Sequence, residues 1–365
     1  MQSLLLNDLA LGRRSALAAL VGAGAAIAGA GPARAATPAR TGSINYADPL
    51  DNLYAFGKIW AGYDAPVIGG FHGLMYMRIG ARRMVPIFGY TGTGILQARF
   101  EPAEGAMYIK SRETGYFTDL RTGDILETWT NPFTEETVEV YHFYNDLTAG
   151  KLTVPYMPRF ALGKDSDPPT LMNEGTVFPD AEGNVPLILP FQHFAGDHLM
   201  LSWDYTHEYT NPVAPEGWPS YSTGPRISPS EHFTFDISKR DLEDRSLPTV
   251  RFTAGFSRLS QPWPFMKMGG ERFKDAVVFG RMFSHKGYAG TAEVPPKVLA
   301  YIEKNAPRYL ELPPEWPVRR NPRLDTWMAF AQDVPPENKA HPWTKTQLDP
   351  AVVPPTGLGA RLYKP

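Results

Sequence analysis

The sequence predicts a mainly β protein, arranged as an antiparallel, calycin-like β-barrel with a few peripheral helices and long proline-rich loops. The 365 residues include 36 prolines and 33 glycines, which favour many short elements over long helices. Eight or more segments have the β-branched and aromatic content of strands, without a strand–helix–strand rhythm. Large residues on both faces, as in LMLSWDY at residues 199–205, favour a barrel. A two-layer β-sandwich is the alternative.

Residues 1–36 are predicted to be a twin-arginine signal peptide rather than part of the fold. Arg13 and Arg14 precede SALAALVGAGAAIAGAG, a mildly apolar run, and Ala33-Arg34-Ala35 fits a small-residue cleavage site. A membrane-spanning helix needs roughly 20 strongly apolar residues, so an anchor fits this run less well. We therefore expect a periplasmic protein, exported by the twin-arginine machinery and without stable membrane insertion.

Residues 37–365 are expected to form one β-rich domain, with its core at residues 48–312 and a proline-rich tail at 313–365 that wraps the surface. Leu50, Leu53, Phe56 and Trp60 recur at a spacing of three and four residues, which predicts a short first helix. Strand patterns follow at VIGGFHGLMYMRIG, RMVPIFGYTGTGILQARFE and AMYIKSRETGYFTD. Glycine or proline clusters separate these three strands.

Residues 112–146, RETGYFTDLRTGDILETWTNPFTEETVEVYHFYND, are predicted to be a meander of three strands. DLRTGD at 119–124 is its first hairpin loop, with Gly123 where a left-handed backbone is needed. Asn131-Pro132 begins its second turn. Later strands are predicted at NVPLILPFQHF, HLMLSWDYTHEYT, SEHFTFDIS, TVRFTAGFSRL and AVVFGRMFS, and a late helix at PPKVLAYIEKNAPRYL.

Composition excludes several classes of function. The formal net charge is −2 with interspersed signs, so no basic stripe is available for nucleic acid. The chain contains no cysteine, which excludes disulfides, thiolate nucleophiles, Cys-ligated zinc and iron–sulfur clusters. We expect no cofactor, and the expected partner is a small hydrophobic or aromatic molecule.

Several motifs occur in order along the chain: RETGYFTDLRTGDILETWTNPFTEETVEV, WDYTHEYTNPV, EGWPSYS, SEHFTFDIS, QPWPFMKMG and PPKVLAYIEKNAPRY. On these motifs the sequence resembles the DUF1838 family over roughly residues 48–312. That family is named as a domain of unknown function, so the resemblance implies no activity and no residue roles. Candidate roles therefore rest on chemistry alone.

Standard catalytic motifs are missing from the sequence, including the phosphate loop, the dinucleotide-binding fingerprint, GxSxG and HExxH. GYTGTG at residues 89–94 is glycine-rich but has no following helix, so it is interpreted as flexible turns. The eight histidines invite a metal hypothesis. However, the chain has no His-x-His pair to anchor one, and no metal ligand is assigned.

Acid/base chemistry without a metal needs an imidazole or carboxyl group against an apolar wall. Strand alternation places Val138, Val140, His142 and Tyr144 on one face, and Trp203, Tyr205 and His207 on another. It also places Arg112, Thr114 and Tyr116 opposite Glu113 and Phe117. The resulting hypothesis joins five residues on a barrel interior. Its candidate catalytic residues are His142 and His207 as proton carriers, Tyr116 and Tyr205 as hydrogen-bond donors, and Arg112 to place a carboxylate or enolate.

Two aromatic, proline-held loops, around Trp218 and Trp263, either clamp a ligand or plug the barrel's end. With Trp203 and Tyr144 they are the candidate ligand-binding residues. The sequence thus favours an exported, cofactor-independent acid/base isomerase, cyclase or lyase that acts on an apolar, oxygenated, ring-containing substrate. A non-catalytic periplasmic carrier for a hydrophobic ligand and a metal-dependent oxygenase-type barrel are the alternatives.

Overall fold

The computed structural model describes residues 43–153, 159–160, 170–172, 188–206, 209–316 and 326–343. They form a mainly β protein with one large antiparallel sheet, so the predicted fold class is confirmed at this level. The strands are β1 (Val67–Ile79), β2 (Val85–Glu101), β3 (Ala106–Thr118), β4 (Thr128–Thr130), β5 (Thr137–Glu139), β6 (Phe143–Thr153), β7 (Arg159–Phe160), β8 (Thr170–Met172), β9 (Phe191–Ala195), β10 (His198–Thr206), β11 (Tyr209–Thr210), β12 (Arg226–Ile227), β13 (Ser230–Ser238), β14 (Phe252–Ser260) and β15 (Ala276–Lys286). The helices are α1 (Pro49–Trp60), α2 (Lys239–Glu243), α3 (Pro296–Asn305) and α4 (Thr326–Asp333).

The large sheet has the strand order β6-β3-β2-β1-β15-β14-β13-β10-β8-β7, and β9 also pairs with β10. β4 and β5 form a separate two-stranded ribbon, as do β11 and β12. Chain neighbours mostly pair directly, but β1 pairs with β15, so the first and last long strands meet in the middle of the sheet. Within the described strands the order is open, because no ladder joins β6 to β7.

The sheet is strongly curved, and α1 lies against its inner face. This helix packs with Phe100 of β2 and Met107 of β3, and also with Trp203 of β10. β3 and β10 are six positions apart in the strand order, so a flat sheet would separate them by about 29 Å at about 4.8 Å per strand. Because one helix contacts both strands, the sheet must wrap around it.

The first helix forms as predicted, and both of its ends are capped. The side chain of Asp48 accepts a hydrogen bond from Asp51 N at 2.9 Å, and Pro49 occupies the first turn. At the other end, the buried amine of Lys286 donates to the carbonyls of Lys58, Ile59 and Ala61 at 2.9, 2.6 and 2.9 Å. These bonds satisfy carbonyl groups that have no partner within the helix, while burial holds the pKa of Lys286 well below its ordinary value. Lys286 thereby anchors α1 to β15.

Two apolar clusters fill the two ends of the curved inner face. Leu53 and Phe56 of α1 pack at one end with Ala98, Leu201 and other residues of β2, β10 and β13. At the other end, strand residues such as Phe88, Phe117 and Met282 pack with the aromatic segment around Trp263 and with α4. The predicted barrel interior is therefore largely occupied by protein side chains at both of its ends.

The outer face of the sheet is covered over only part of its width. α3 packs on the outer side of β3, where Tyr116 joins Val298, Ile302 and Tyr309 in a third buried cluster. The outer side chains of β1, β15 and β14 are different, since several of them are exposed, among them Leu74, Arg281 and Leu259. One sheet thus has a sealed outer region and an open outer region.

Two local predictions are wrong. Residues 89–94 are not flexible turns but the middle of β2, where Gly92 makes room for the ring of Phe71. Residues 138–144 do not form one alternating strand, since β5 ends at Glu139 and β6 begins at Phe143. Within the predicted proline-rich tail, the described residues include α4, whose Trp327 and Phe330 are buried in the core.

Other local predictions are confirmed. The hairpin at 119–124 has Gly123 at φ 70°, and the carboxylate of Asp119 accepts hydrogen bonds from the backbone of Arg121 and Thr122 at 2.9 and 2.8 Å. The late helix begins at Pro296. None of the helices in the described part of the chain is long and apolar enough to cross a bilayer.

Candidate functional site

A band of partly accessible residues lies across the inner face, between the two apolar clusters. Phe71, Tyr90, Glu113, Phe256 and Arg258 all keep some accessible surface there, although the residues at either end of the face are fully buried. Polar and aromatic side chains that are surrounded by protein but still accessible are typical of a ligand-binding site. This band is therefore the candidate functional site.

Glu113 is the central carboxyl group of the site, and it projects from β3 onto the inner face. Its pKa is raised to about 6 by burial, and the negative charge of Glu231 raises it as well. A hydrogen bond from Asn145 Nδ2 to Glu113 Oε2, at 3.4 Å, opposes this shift. No cation pairs with this carboxyl group among the described residues, so Glu113 can exchange a proton near neutral pH.

Glu231 is the second carboxyl group, on β13, and its environment is different. Arg258 of β14 forms an ion pair with it, through Arg258 Nη1 and Glu231 Oε1. Burial raises the pKa of Glu231, while the charge and the hydrogen bond of Arg258 lower it. Arg258 Nε is buried and has no hydrogen-bond partner within the described part of the chain. This nitrogen is therefore a buried donor without a partner among the described residues.

The curvature of the sheet brings these groups together. β3 and β13 are five positions apart in the strand order, which in a flat sheet is about 24 Å. Even so, Glu231 affects the pKa of Glu113, and both carboxylates affect the pKa of Tyr90 on β2. Burial raises the pKa of Tyr90, and Arg258 opposes the shift, so this phenol stays protonated as a hydrogen-bond donor.

The walls of the site are aromatic, and glycines make room for them. Phe71 stacks on Tyr90 with ring centroids 5.5 Å apart, and Phe233 packs on Phe256 at 4.6 Å. A Cβ atom at Gly92 would lie 2.3 Å from Phe71 Cζ, and one at Gly115 would lie 1.9 Å from the hydroxyl of Tyr90. Only glycine fits at these two positions, so Gly92 of β2 and Gly115 of β3 shape the site.

Arg112 and Tyr116 lie on the outer face of β3, not on the inner face where the sequence analysis placed them. Arg112 Nη1 donates to the carbonyls of Arg308 and Glu311 at 3.1 and 2.9 Å, which holds the segment after α3 against the sheet. Tyr116 is fully buried beneath α3, and burial raises its pKa to about 12. The sequence correctly predicted that Arg112 and Tyr116 share one face of β3. The face that lines the interior is the other one, which carries Glu113 and Phe117.

His142 is buried next to Tyr116, with ring centroids 5.3 Å apart, and its Nδ1 accepts a hydrogen bond from Phe117 N at 3.2 Å. Burial lowers its pKa to about 3, against a hydrogen bond with the backbone of Leu126 that raises it. This histidine is therefore neutral at pH 7 and already accepts a backbone donor. Tyr144 packs on Tyr116 at 5.9 Å in the same cluster. The structure thus groups these three aromatic side chains beneath α3.

The other predicted residues lie in different places. Trp203 is on the inner face of β10 and packs at 4.6 Å against Trp60 of α1, within the apolar cluster. The backbone of Tyr205 lies opposite Glu231 in the β10–β13 register, next to the site. His207 lies outside the described residues. These placements neither assign nor remove a catalytic role.

Trp218 and Trp263 are both buried in the cluster at the α4 end. Trp218 Nε1 donates to the carbonyl of Val334 at 3.0 Å, and the Trp263 ring packs against Phe117 at 5.1 Å. Of the two interpretations of these aromatic loops, their placement favours the plug at one end of the inner face.

Four residues of the site were not predicted from the sequence: Glu113, Glu231, Arg258 and Tyr90. The sequence contains a signal for the two carboxyl groups, because each of them shares its strand face with large apolar residues. Glu113 shares its face with Phe117, and Glu231 precedes Phe233 and Phe235 at two-residue spacing. A carboxylate on an apolar strand face is costly unless it has a partner or a function.

Metal ligation has no support in the described residues, which include no group of three or more His, Asp or Glu side chains positioned to hold a metal ion. Two exposed histidines of the sheet pair with aspartates instead. His198 Nδ1 lies 3.0 Å from Asp236 Oδ1, and His232 Nδ1 lies 3.0 Å from Asp204 Oδ1. Both pairs are on the outer face.

Comparison with known families identifies the chain's relationship. The fold and the inner-face site define a protein with a curved antiparallel β-sheet and two carboxyl groups, those of Glu113 and Glu231, on its inner face. The chain belongs to the family described as protein of unknown function (DUF1838), whose model matches residues 66–334. The predicted resemblance is confirmed, and the match begins after α1 and extends through α4. No curated protein matches the chain.

Proposed function

We propose that this protein is an enzyme that transfers a proton within an apolar, oxygenated small molecule held on the inner face of the sheet. The observation that carries this proposal is the unequal pair of carboxyl groups. Glu113 has a pKa of about 6 and no cationic partner among the described residues, whereas Glu231 is paired with Arg258. Two carboxyl groups with such different environments can take different roles in acid/base catalysis.

In the proposed reaction, Glu113 accepts a proton from a carbon or oxygen atom of the substrate and returns it at another atom. The hydroxyl of Tyr90 and the positive charge of Arg258 stabilise the negative charge that develops on a substrate oxygen. Such a reaction is an isomerisation, a cyclisation or an elimination and needs no redox cofactor. Phe71, Phe233 and Phe256 provide the apolar, ring-binding walls.

Glu113 replaces His142 as the proposed proton carrier, because His142 is neutral, sealed and engaged with Phe117 N. Tyr205 and His207 remain predicted participants, and the backbone of Tyr205 lies opposite Glu231 in the β10–β13 register. A carrier that only binds the molecule is the competing function, because the same aromatic walls serve either role.

We also propose that the sheet closes into the predicted barrel. Thr153 of β6 and Arg159 of β7 are six residues apart, so the two edge strands are at most about 22 Å apart at about 3.6 Å per residue. In a flat ten-stranded sheet the two edges would be about 43 Å apart. Curvature around α1 and this short connection together support closure over a two-layer sandwich. A crystal structure with hydrogen bonds between β6 and β7 would support the barrel, and a wide gap would contradict it.

The function is tested with the protein purified from its own host. Small molecules extracted from wild type and from Glu113→Gln are identified by mass spectrometry, and each recovered molecule is incubated with the protein in D₂O. Wild type is expected to incorporate deuterium or to form an isomer or elimination product. Glu113→Gln, which cannot exchange a proton, is expected to retain the molecule but to lose at least about 100-fold in rate.

The matched control is Arg112→Met, next in sequence but on the opposite face of β3, which should keep the rate. An unchanged rate in Glu113→Gln would contradict the proposed role of Glu113. A bound molecule that wild type neither deuterates nor converts would favour the carrier.

The export prediction remains a proposal, supported by Arg13, Arg14 and the apolar run that follows. Fusion of residues 1–36 to a reporter that is active only after export in the folded state tests it. Activity that disappears with Arg13→Lys and Arg14→Lys is expected, and activity that persists in a host without the twin-arginine machinery would contradict it.

A further inference from the structure

The open part of the outer face combines exposed apolar side chains with arginines. Phe283 of β15 is 61% exposed, Leu259 of β14 is 44% exposed and Leu74 of β1 is 38% exposed. The register puts Leu74 directly beside Arg281, and Phe283 between His72 and Gly255. A Cβ atom at Gly255 would meet nothing within 4 Å, so one side of the Phe283 ring is open. We call this area, with Tyr76 and Phe279, the outer patch.

Arginines surround one end of the outer patch. Arg78 lies at the end of β1, and Arg82 and Arg83 follow in the hairpin to β2, all three exposed like Arg281. None of the four forms an ion pair or a side-chain hydrogen bond with other described residues. The exposed carboxyl groups at this end are Asp275 and Glu271, and Glu271 is already paired with Lys274 at 2.9 Å. The guanidinium groups are therefore available to an anionic partner.

We propose that the outer patch attaches the protein peripherally to a membrane surface that contains acidic phospholipids. Exposed phenylalanine and leucine side chains enter the boundary between headgroups and acyl chains, and the arginines bind the lipid phosphates. This attachment needs no spanning helix, and it does not depend on the inner-face site. It would hold a protein that binds apolar molecules close to the phase in which such molecules concentrate.

Charge argues for this partner over a second copy of the chain. In a two-fold symmetric dimer the patch packs on its own copy, so one interface would hold Arg281 and the hairpin arginines of both copies with few carboxyl groups to neutralise them. Like charges at an interface cost several kcal/mol. A lipid surface supplies negative charge at the arginines and an apolar layer behind it, which matches both components of the patch.

Vesicle sedimentation tests the proposal with the full chain. Vesicles of phosphatidylcholine containing 30% phosphatidylglycerol are compared with pure phosphatidylcholine, in roughly 0.05 M and 0.5 M salt. Arg82→Gln with Arg83→Gln should weaken binding to the acidic vesicles about thirty-fold, since each arginine near the surface contributes about five-fold. Phe283→Ser should weaken it about ten-fold. High salt should reduce the binding of wild type.

Matched controls keep the test specific. Phe194→Ser removes a phenylalanine that is 78% exposed in the β9–β10 hairpin, and Arg240→Gln removes an exposed arginine at the start of α2. Both should bind like wild type, and the N-terminal Ala/Gly run is common to all variants. Equal binding of the patch variants and wild type would overturn the proposal. So would a dimer in solution that Phe283→Ser dissociates, because that result assigns the patch to a second copy.

Discussion

The two faces of strand β3 carry the two groups of candidate residues, and they differ in access rather than in composition. On the inner face, Glu113 keeps accessible surface and a raised pKa of about 6. On the outer face, Tyr116 is sealed beneath α3, and the buried ring of His142, from the connection before β6, packs against it. Because neighbouring residues of a strand point to opposite faces, β3 carries a group that can exchange protons on one face and a group that supports packing on the other.

The largest expected effect is on the inner face, at Gly92. Its Cβ in Gly92→Ala would lie 2.0 Å from the carbonyl oxygen of Thr114 and 2.3 Å from Phe71 Cζ. We expect a loss of about 3 kcal/mol in the free energy of unfolding, measured by urea denaturation. Gly94→Ala is the control, because its nearest contacts are at 3.3 Å, and it should lose less than about 1 kcal/mol. Equal losses would show that the inner face is not shaped as described.

His142 should make the folded protein sensitive to acid. Its folded pKa of about 3 is below the ordinary 6.5, so the unfolded chain binds the proton first, and stability is lost as the pH falls through this range. Between pH 7 and pH 5 this loss is about 2 kcal/mol. In His142→Gln the loss between these two pH values should be smaller by that amount. An unchanged pH dependence would mean that His142 is hydrated and not sealed.

Glu113 should change the stability of the folded protein in the opposite direction as the pH falls. Its folded pKa of about 6 is above the ordinary 4.5, so the folded protein binds the proton first and gains stability as the pH falls from 7 to 5. This gain is about 1 kcal/mol, and Glu113→Gln should abolish it. NMR titration of the labelled carboxyl carbon should give a midpoint near 6. A midpoint near 4.5 would remove Glu113 from its proposed role.

The smallest effect is expected for Arg112→Met on the outer face. The guanidinium bonds with Arg308 and Glu311 are partly exposed, so their loss should cost about 1 kcal/mol or less in unfolding free energy. The pKa of Glu113 should stay the same, because its side chain is on the other face. A shift of that pKa would show that the two faces of β3 are coupled.

Much of the fold was predictable from local patterns. The position of α1 followed from apolar spacing, and SEHFTFDIS matches β13 residue for residue. Alternation separated Arg112 and Tyr116 from Glu113 and Phe117. It did not show which face is inside, because both faces of β3 are buried, one by side chains of the curved sheet and one by α3.

Long-range assembly of the site was not predictable in the same way. Glu113, Glu231 and Arg258 come from three strands that are up to 145 residues apart in the chain, and no short motif links them. Their proximity depends on how sharply the sheet curves around α1, which in turn depends on packing between distant strands. The burial that sets the pKa of His142 and of Glu113 has the same origin.

The sequence alone determined the mainly β class, most strand positions, the first helix, the family and the absence of cysteine chemistry, because these depend on residue type and local periodicity. Tertiary structure alone decided which face of β3 is the inner one and which part of the outer face stays open. It also decided which of the two site carboxyl groups forms an ion pair within the described part of the chain. Those outcomes depend on electrostatic and packing contacts between segments far apart in the chain, and such contacts exist only after the sheet has curved.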